Sequence, residues 1–245
     1  MNYQIVTLCI GDKYIPIKEH YKKRITDKCK NYTLEIIDDL SDINYQIEMR
    51  YAWWDIIRTK KIIKKLEDIN IPIVHCDIDI IIEKDISELV NLNYDLIFAT
   101  EINGINAFPK ECSQKLGFGI NTGFYIIKPT DKAIEFIKTI FNLMYNKKYN
   151  TYSDQETIMN YITSNNYKTK QEECIIDNIT YTNYIITIND LNICVLDFNI
   201  IIRDPLKTSN QFANHINIDN VKGVENFIKF YYDKIENLPT TTRQF

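Results

Sequence analysis

Glycine and proline are both scarce in this 245-residue chain, at six residues each. Such scarcity excludes a collagen-like repeat and a flexible low-complexity linker. Cysteine is equally sparse. Cys9, Cys29, Cys76, Cys112, Cys174 and Cys194 lie far apart, with no C-x-x-C pair of the kind structural zinc sites use. No uncharged apolar run approaches the ~20 residues of a membrane-spanning helix. The opening MNYQIVTLCIGDKY also lacks the basic segment, apolar core and small-residue cleavage site of a leader. These absences predict reduced thiols in a cytoplasmic protein without a membrane span, its sequons at Asn31 and Asn178 unused. An excess of positive charge is missing too. The net charge of −4 speaks against a nucleic-acid partner, and the basic run Arg58 to Lys65, broken by Ile62 and Ile63, reads as a solvated helix face.

What is present is an ordinary globular balance, 45% hydrophobic and 25% charged, over a length that suits one sizeable α/β domain. The rest of the chain is organised around Ile71 to Asp85, IPIVHCDIDIIIEKD, whose apolar run predicts a strand buried on both faces. Asp77 and Asp79 interrupt it. Side chains two apart on an extended strand point the same way, so the two carboxylates leave together if the strand continues that far. Side-by-side burial of two ionised carboxylates calls for a cation, for hydrogen bonds or for exposure at the strand's end. A divalent metal shared with a phosphate meets all three needs; a strand end facing water is the plain alternative.

In chain order, Tyr3 to Ile10 predicts a first strand, with Gly11 and Tyr14 in the loop at its carboxyl end, where open α/β sheets bind ligands. A helix over His20 to Lys30 and a strand over Thr33 to Ile37 follow, ending at Asp38-Asp39, either a solvated turn or a nucleoside contact. Tyr51 to Leu66 carries apolar residues at helical spacing, with Asp55 and Arg58 three apart as an ion pair or a ligand contact. After a short helix from Ile86 to Leu92 and a strand from Asp95 to Thr100, residues Asn103 to Gly119 read as a long irregular loop. The strand of GINTGFYIIKP contains Gly123, which permits either close approach of a ligand or a bulge. Thr130 to Tyr145 is an amphipathic helix, and Thr151 to Ile162 starts another, with Ser153 as cap and Glu156 three residues on. Short apolar runs at Cys174 to Ile176, Tyr184 to Ile188 and Ile193 to Phe198 precede a closing helix from Val224 to Leu238.

In this order, TLCIGDKY, WDIIR, VHCDIDIIIEKDI, GINTGFYIIKP, SDQETI and HINIDNVKG resemble the nucleotide-sugar glycosyltransferases of the GT-A fold that carry a D-x-D motif. The resemblance implies a single Rossmann-like GT-A domain over residues 1–238, with a mostly parallel central sheet flanked by helices, and a tail over 239–245. It also implies a divalent metal, Mn²⁺ or Mg²⁺, held by Asp77, Asp79 and His215. The nucleotide-sugar donor, a UDP-sugar by the same resemblance, would meet Thr7, Gly11, Tyr14, Asp38, Asp55, Arg58, Asp77, Asn121, Gly123, Gln155 and Lys222, and a glycan or other hydroxyl would accept the sugar. NIPIVHC stands where related chains carry a Gly-Gly turn, which bears on the strand's entry and leaves the carboxylates in place.

The chemistry asks for a carboxylate near the reacting sugar, as base or as stabiliser of an oxocarbenium-like charge, and the candidates are Glu101 and Asp154. Two other readings compete: a catalytically silent nucleotide-binding scaffold, and nucleotidyl transfer, for which GDKY lacks a glycine-rich phosphate cradle.

Overall fold

Tyr3–Leu8 forms β1, whose residues alternate between two cores: Tyr3 and Ile5 enter one, Val6 the other. The computed structural model describes residues 2–11, 14–38, 53–202, 211–215 and 223–229. On either side of β1, β2 (Tyr32–Ile37) and β3 (Ile73–Cys76) pair with it in parallel. Parallel neighbours need crossover connections. Two helices, α1 (Ile15–Lys28), with Pro16 in its first turn, and α2 (Trp53–Asp68), lie within those connections and flank opposite faces of the sheet. Beyond β3 come β6 (Ile120–Ile127), buried at all eight positions, and β5 (Leu96–Thr100), antiparallel to β6. Then β9 (Leu191–Val195) lies parallel to β5, and the hairpin of β7 (Tyr167–Ile176) and β8 (Ile179–Ile188) closes the edge.

The resulting sheet has eight strands in the order β2-β1-β3-β6-β5-β9-β8-β7, and all run one way except β6 and β8. It is therefore the mostly parallel central sheet expected, made mixed by two reversed strands. One face is covered by α1, by α3 (Ser87–Asn91) and by Phe227 of the helical residues 224–229. The other is covered by α2, by α4 (Lys110–Leu116), and by α5 (Asp131–Tyr145) and α6 (Asp154–Thr163), capped by Thr130 and Ser153 respectively. Among the described residues no helix is long and apolar enough to cross a membrane.

Several elements differ from the sequence reading: α1 and β8 each begin five residues earlier than expected, and three differences are larger or bear on the site. The expected long strand from Ile71 stops at Cys76: Ile80 N donates to Asp77 O at 3.0 Å, closing a turn. The chain then resumes as β4 (Ile80–Ile82) in a second sheet, antiparallel to β11 (Ala213–His215), which pairs with β10 (Ile201–Ile202). Asp77 and Asp79 are thus presented by a turn, not by the alternation of one strand. The expected irregular loop between Asn103 and Gly119 contains a 3-10 turn at Gly104–Asn106 and α4. Finally, β7 runs to ten residues where only Cys174 to Ile176 was expected, because its first half is a polar, exposed edge without a hydrophobic signal. The closing helix beyond residue 229 and the tail 239–245 lie outside the described residues.

Candidate functional site

The topology collects chemistry at one end of the sheet. Gly11 follows β1, Asp38 follows β2, Asp77 follows β3 and Glu101 follows β5, all at carboxyl ends, while reversed β6 brings its start, Asn121 to Gly123, to the same place. Asp55 and Arg58 arrive on the first turns of α2, and Asp154 and Gln155 on the first turn of α6. From the far end of the chain, β11 sets His215 opposite Ile80.

Asp77, Asp79 and His215 each offer a ligand atom, and these atoms lie within 4.8 Å of one another. His215 Nε2 stands 3.5 Å from Asp79 Oδ1. Gly123 is the floor of this cluster. A Cβ there would fall 2.4 Å from His215 Cε1, 2.9 Å from Asp77 Oδ2 and 3.0 Å from Asn121 Oδ1, so these side chains would have to move to admit it. Of the two sequence explanations of Gly123 the bulge is present, since the β5–β6 register jumps between Phe98↔Tyr125 and Ala99↔Asn121 and bulges out Thr122 to Phe124; side chains also crowd the glycine. Asp77 N donates to Gly123 O at 2.8 Å, tying the turn to the bulge.

Behind the cluster sits Arg58, 8% exposed. Its Nη2 donates to Asp55 Oδ1 at 2.8 Å and Asp154 Oδ2 at 2.5 Å, and its Nη1 to Asp77 Oδ1 at 3.1 Å. One guanidinium thus faces three carboxylates, with Asp79 a fourth nearby, and the surplus negative charge is what a bound cation would offset. The titration of these groups follows from the crowding. Burial and the charge of Asp154 push the Asp55 carboxyl up to about 7 against the pull of Arg58. Burial also works to raise Asp77, but the His75 contact and the Arg58 charge outweigh it, leaving that carboxyl at about 2. Burial and the neighbouring guanidinium lower His75.

Asp154 has both oxygens committed: Oδ1 accepts from Thr122 Oγ1 at 2.8 Å and Gln155 N at 2.7 Å, and Oδ2 from Arg58. Glu101, 4% exposed, accepts from Asn121 Nδ2 at 2.7 Å and from Ile102 N at 3.1 Å, while Asn121 Oδ1 accepts from Gly123 N.

The other expected site residues fall elsewhere around this end. Thr7 is fully buried within β1, so it presents no surface to a ligand. Gly11 turns the chain at a φ of +100°, and its carbonyl accepts from the amide of half-buried Tyr14. Exposed Asp38 pairs with Lys18 of α1. Gln155 Nε2 reaches Phe108 O at 3.4 Å, joining α6 to the segment before α4. Lys222 lies outside the described residues. Sequence reasoning passed over Thr122, hidden in an apolar strand, and His75. Its spacing of two before Asp77 was the available signal, since that parity puts both on one side of a strand.

Comparison with known proteins adds the family. A model described as nucleotide-diphospho-sugar transferase matches residues 35–228, which include the whole set from Asp55 to His215. No curated protein matches the chain. Among solved structures, the chain is similar to a glycosyltransferase involved in the glycosylation of the major capsid of PBCV-1, with 16% identity and a TM-score of 0.47 over 66% of this chain and 76% of that one. The order of elements, the acid pair at the end of β3 and a family match over most of the chain converge on one conclusion: the protein belongs to the nucleotide-diphospho-sugar transferase family.

Proposed function

We propose that this family member is a divalent-metal-dependent glycosyltransferase that moves a sugar from a UDP-sugar to a hydroxyl acceptor, a glycan in the simplest case. The observation that carries the reading is the convergence of Asp77, Asp79 and His215, whose ligand atoms lie within 4.8 Å of one another. The donor set fits a cation: two carboxylates and an imidazole, over a glycine whose missing side chain leaves their space open. Mixed oxygen and nitrogen ligation suits Mn²⁺ better than Mg²⁺. Such an ion, when bound, neutralises the diphosphate leaving group as a Lewis acid and orients it.

The remaining roles belong to the chain itself. Arg58 holds Asp55, Asp77 and Asp154 in place. Asp154, engaged by Thr122, Gln155 and Arg58, serves as an anchor for that guanidinium. Glu101 is assigned to the reacting sugar, beside Asn121 at the start of β6. The loops after β1 and β2, with Gly11, Tyr14 and Asp38, receive the nucleoside, and Lys222 is assigned to the diphosphate.

The test is release of UDP from a panel of UDP-sugars by purified protein, with and without Mn²⁺, alongside Asp79→Asn. Turnover that needs the metal and collapses in the variant is expected. Equal turnover in both proteins rejects the metal role, and metal-dependent nucleotide binding without any transfer identifies a silent relative.

A further inference from the structure

His75 is a fully buried imidazole that the roles above leave unused. It stands in β3 two residues before Asp77, paired with Val6 of β1 and Tyr125 of β6. Both ring nitrogens lie within hydrogen-bond distance of other groups. Nδ1 lies 3.1 Å from Val6 O. One face meets the ring of Tyr125, with centroids 4.8 Å apart. The Nε2 edge lies 2.9 Å from Asp77 Oδ1, an acceptor to which a protonated Nε2 donates, and 3.2 Å from Arg58 Nη1.

The two oxygens of Asp77 therefore have different neighbours. Oδ1 is held between His75 and Arg58, both anchored in buried structure. Oδ2 lies on the Gly123 side, where His215 Cε1 also approaches. We infer that His75 is a positioning residue: together with Arg58 it fixes Oδ1, so that Oδ2 is presented to the ion shared with Asp79 and His215. A carboxylate free to turn would spread itself over several orientations, and side chains that orient metal ligands in this way typically account for ~10–100-fold in metal affinity. The inference rests on the metal reading proposed above.

The experiment measures Mn²⁺ affinity of the full chain by calorimetry, well below the melting temperature of each variant, for wild type, Asp79→Asn, His75→Leu and His75→Gln. A leucine keeps most of the volume and removes the polar edge; a glutamine keeps polar atoms long enough to reach Asp77. The expected result is a Kd roughly 10–100-fold weaker for His75→Leu, with His75→Gln recovering most of the loss. If the leucine variant does not fold, His75→Asn, polar but too short to reach Asp77, takes its place with the same expected loss. A folded His75→Leu or His75→Asn that binds Mn²⁺ as wild type does, or a glutamine no better than either, overturns the inference even if Asp79→Asn has lost the metal. A wild type that binds no Mn²⁺, or an Asp79→Asn that binds it equally well, overturns the metal reading and this inference together.

Discussion

Asp55 shows how crowding of like charge becomes a property that can be measured. Its carboxyl is pushed up to about 7 from an ordinary 3.8, by burial first and by Asp154 second. Between those two pH values the folded protein keeps a proton that the unfolded chain has released. Stability therefore falls as pH rises from about 4 to about 7 and stays lower above it. Asp55→Asn removes this contribution while retaining an acceptor for Arg58. Urea unfolding at pH 5 and pH 8 should show a smaller loss of stability in the variant than in wild type; an identical loss would show that Asp55 does not titrate in this window. Arg58 itself could not have been understood from sequence alone. The three-residue spacing to Asp55 announced an ion pair, and that pair exists, but Asp77 and Asp154 join it only through the fold.

At the level of elements, the bulge in β6 determines whether the cluster can close. Gly123 is not in the left-handed region, so its requirement is space: a methyl group there would sit 2.4 Å from the His215 ring. Gly123→Ala should push that imidazole off Asp79, weakening Mn²⁺ binding at least roughly tenfold, with an overpacking penalty of about 1–3 kcal/mol. A Mn²⁺ titration beside a thermal melt checks both, and unchanged affinity would mean that the ring yields without leaving the cluster. The amphipathic helices were legible because an apolar stripe at helical spacing has no competing explanation, as α5 illustrates with Ala133, Phe136, Ile137, Ile140 and Met144 all buried. The break after Cys76 was not legible. Ile80 to Ile82 are as buried as β3, only in another sheet, and hydrophobicity does not say which sheet a residue enters. The polar half of β7 was hidden for the opposite reason.

For the whole molecule, the small sheet of β10, β11 and β4 connects the late chain to the middle of the fold, and the metal reading makes that connection load-dependent. A ligand that binds only the folded form stabilises it by mass action, by about 2.7 kcal/mol at a hundred times its Kd. Mn²⁺ with UDP should therefore raise the melting temperature of wild type and leave Asp79→Asn unmoved, whereas an equal rise in both would place the ion elsewhere. The order of motifs along the chain made the fold and the acid pair readable, since each motif sits at a strand end or a helix start. The resemblance had already grouped His215 with Asp77 and Asp79, and the pairing of β11 with β4 is the physical reason that His215 and Asp79 meet.

That pairing has a consequence for biosynthesis. Domains take shape from the N-terminus onward as the polypeptide emerges, and here both acids are made long before the imidazole that completes their group. A nascent chain can thus assemble most of its large sheet while still unable to grip an ion in the proposed manner. Competence to engage a donor would arrive late, as a sign that synthesis has passed β11.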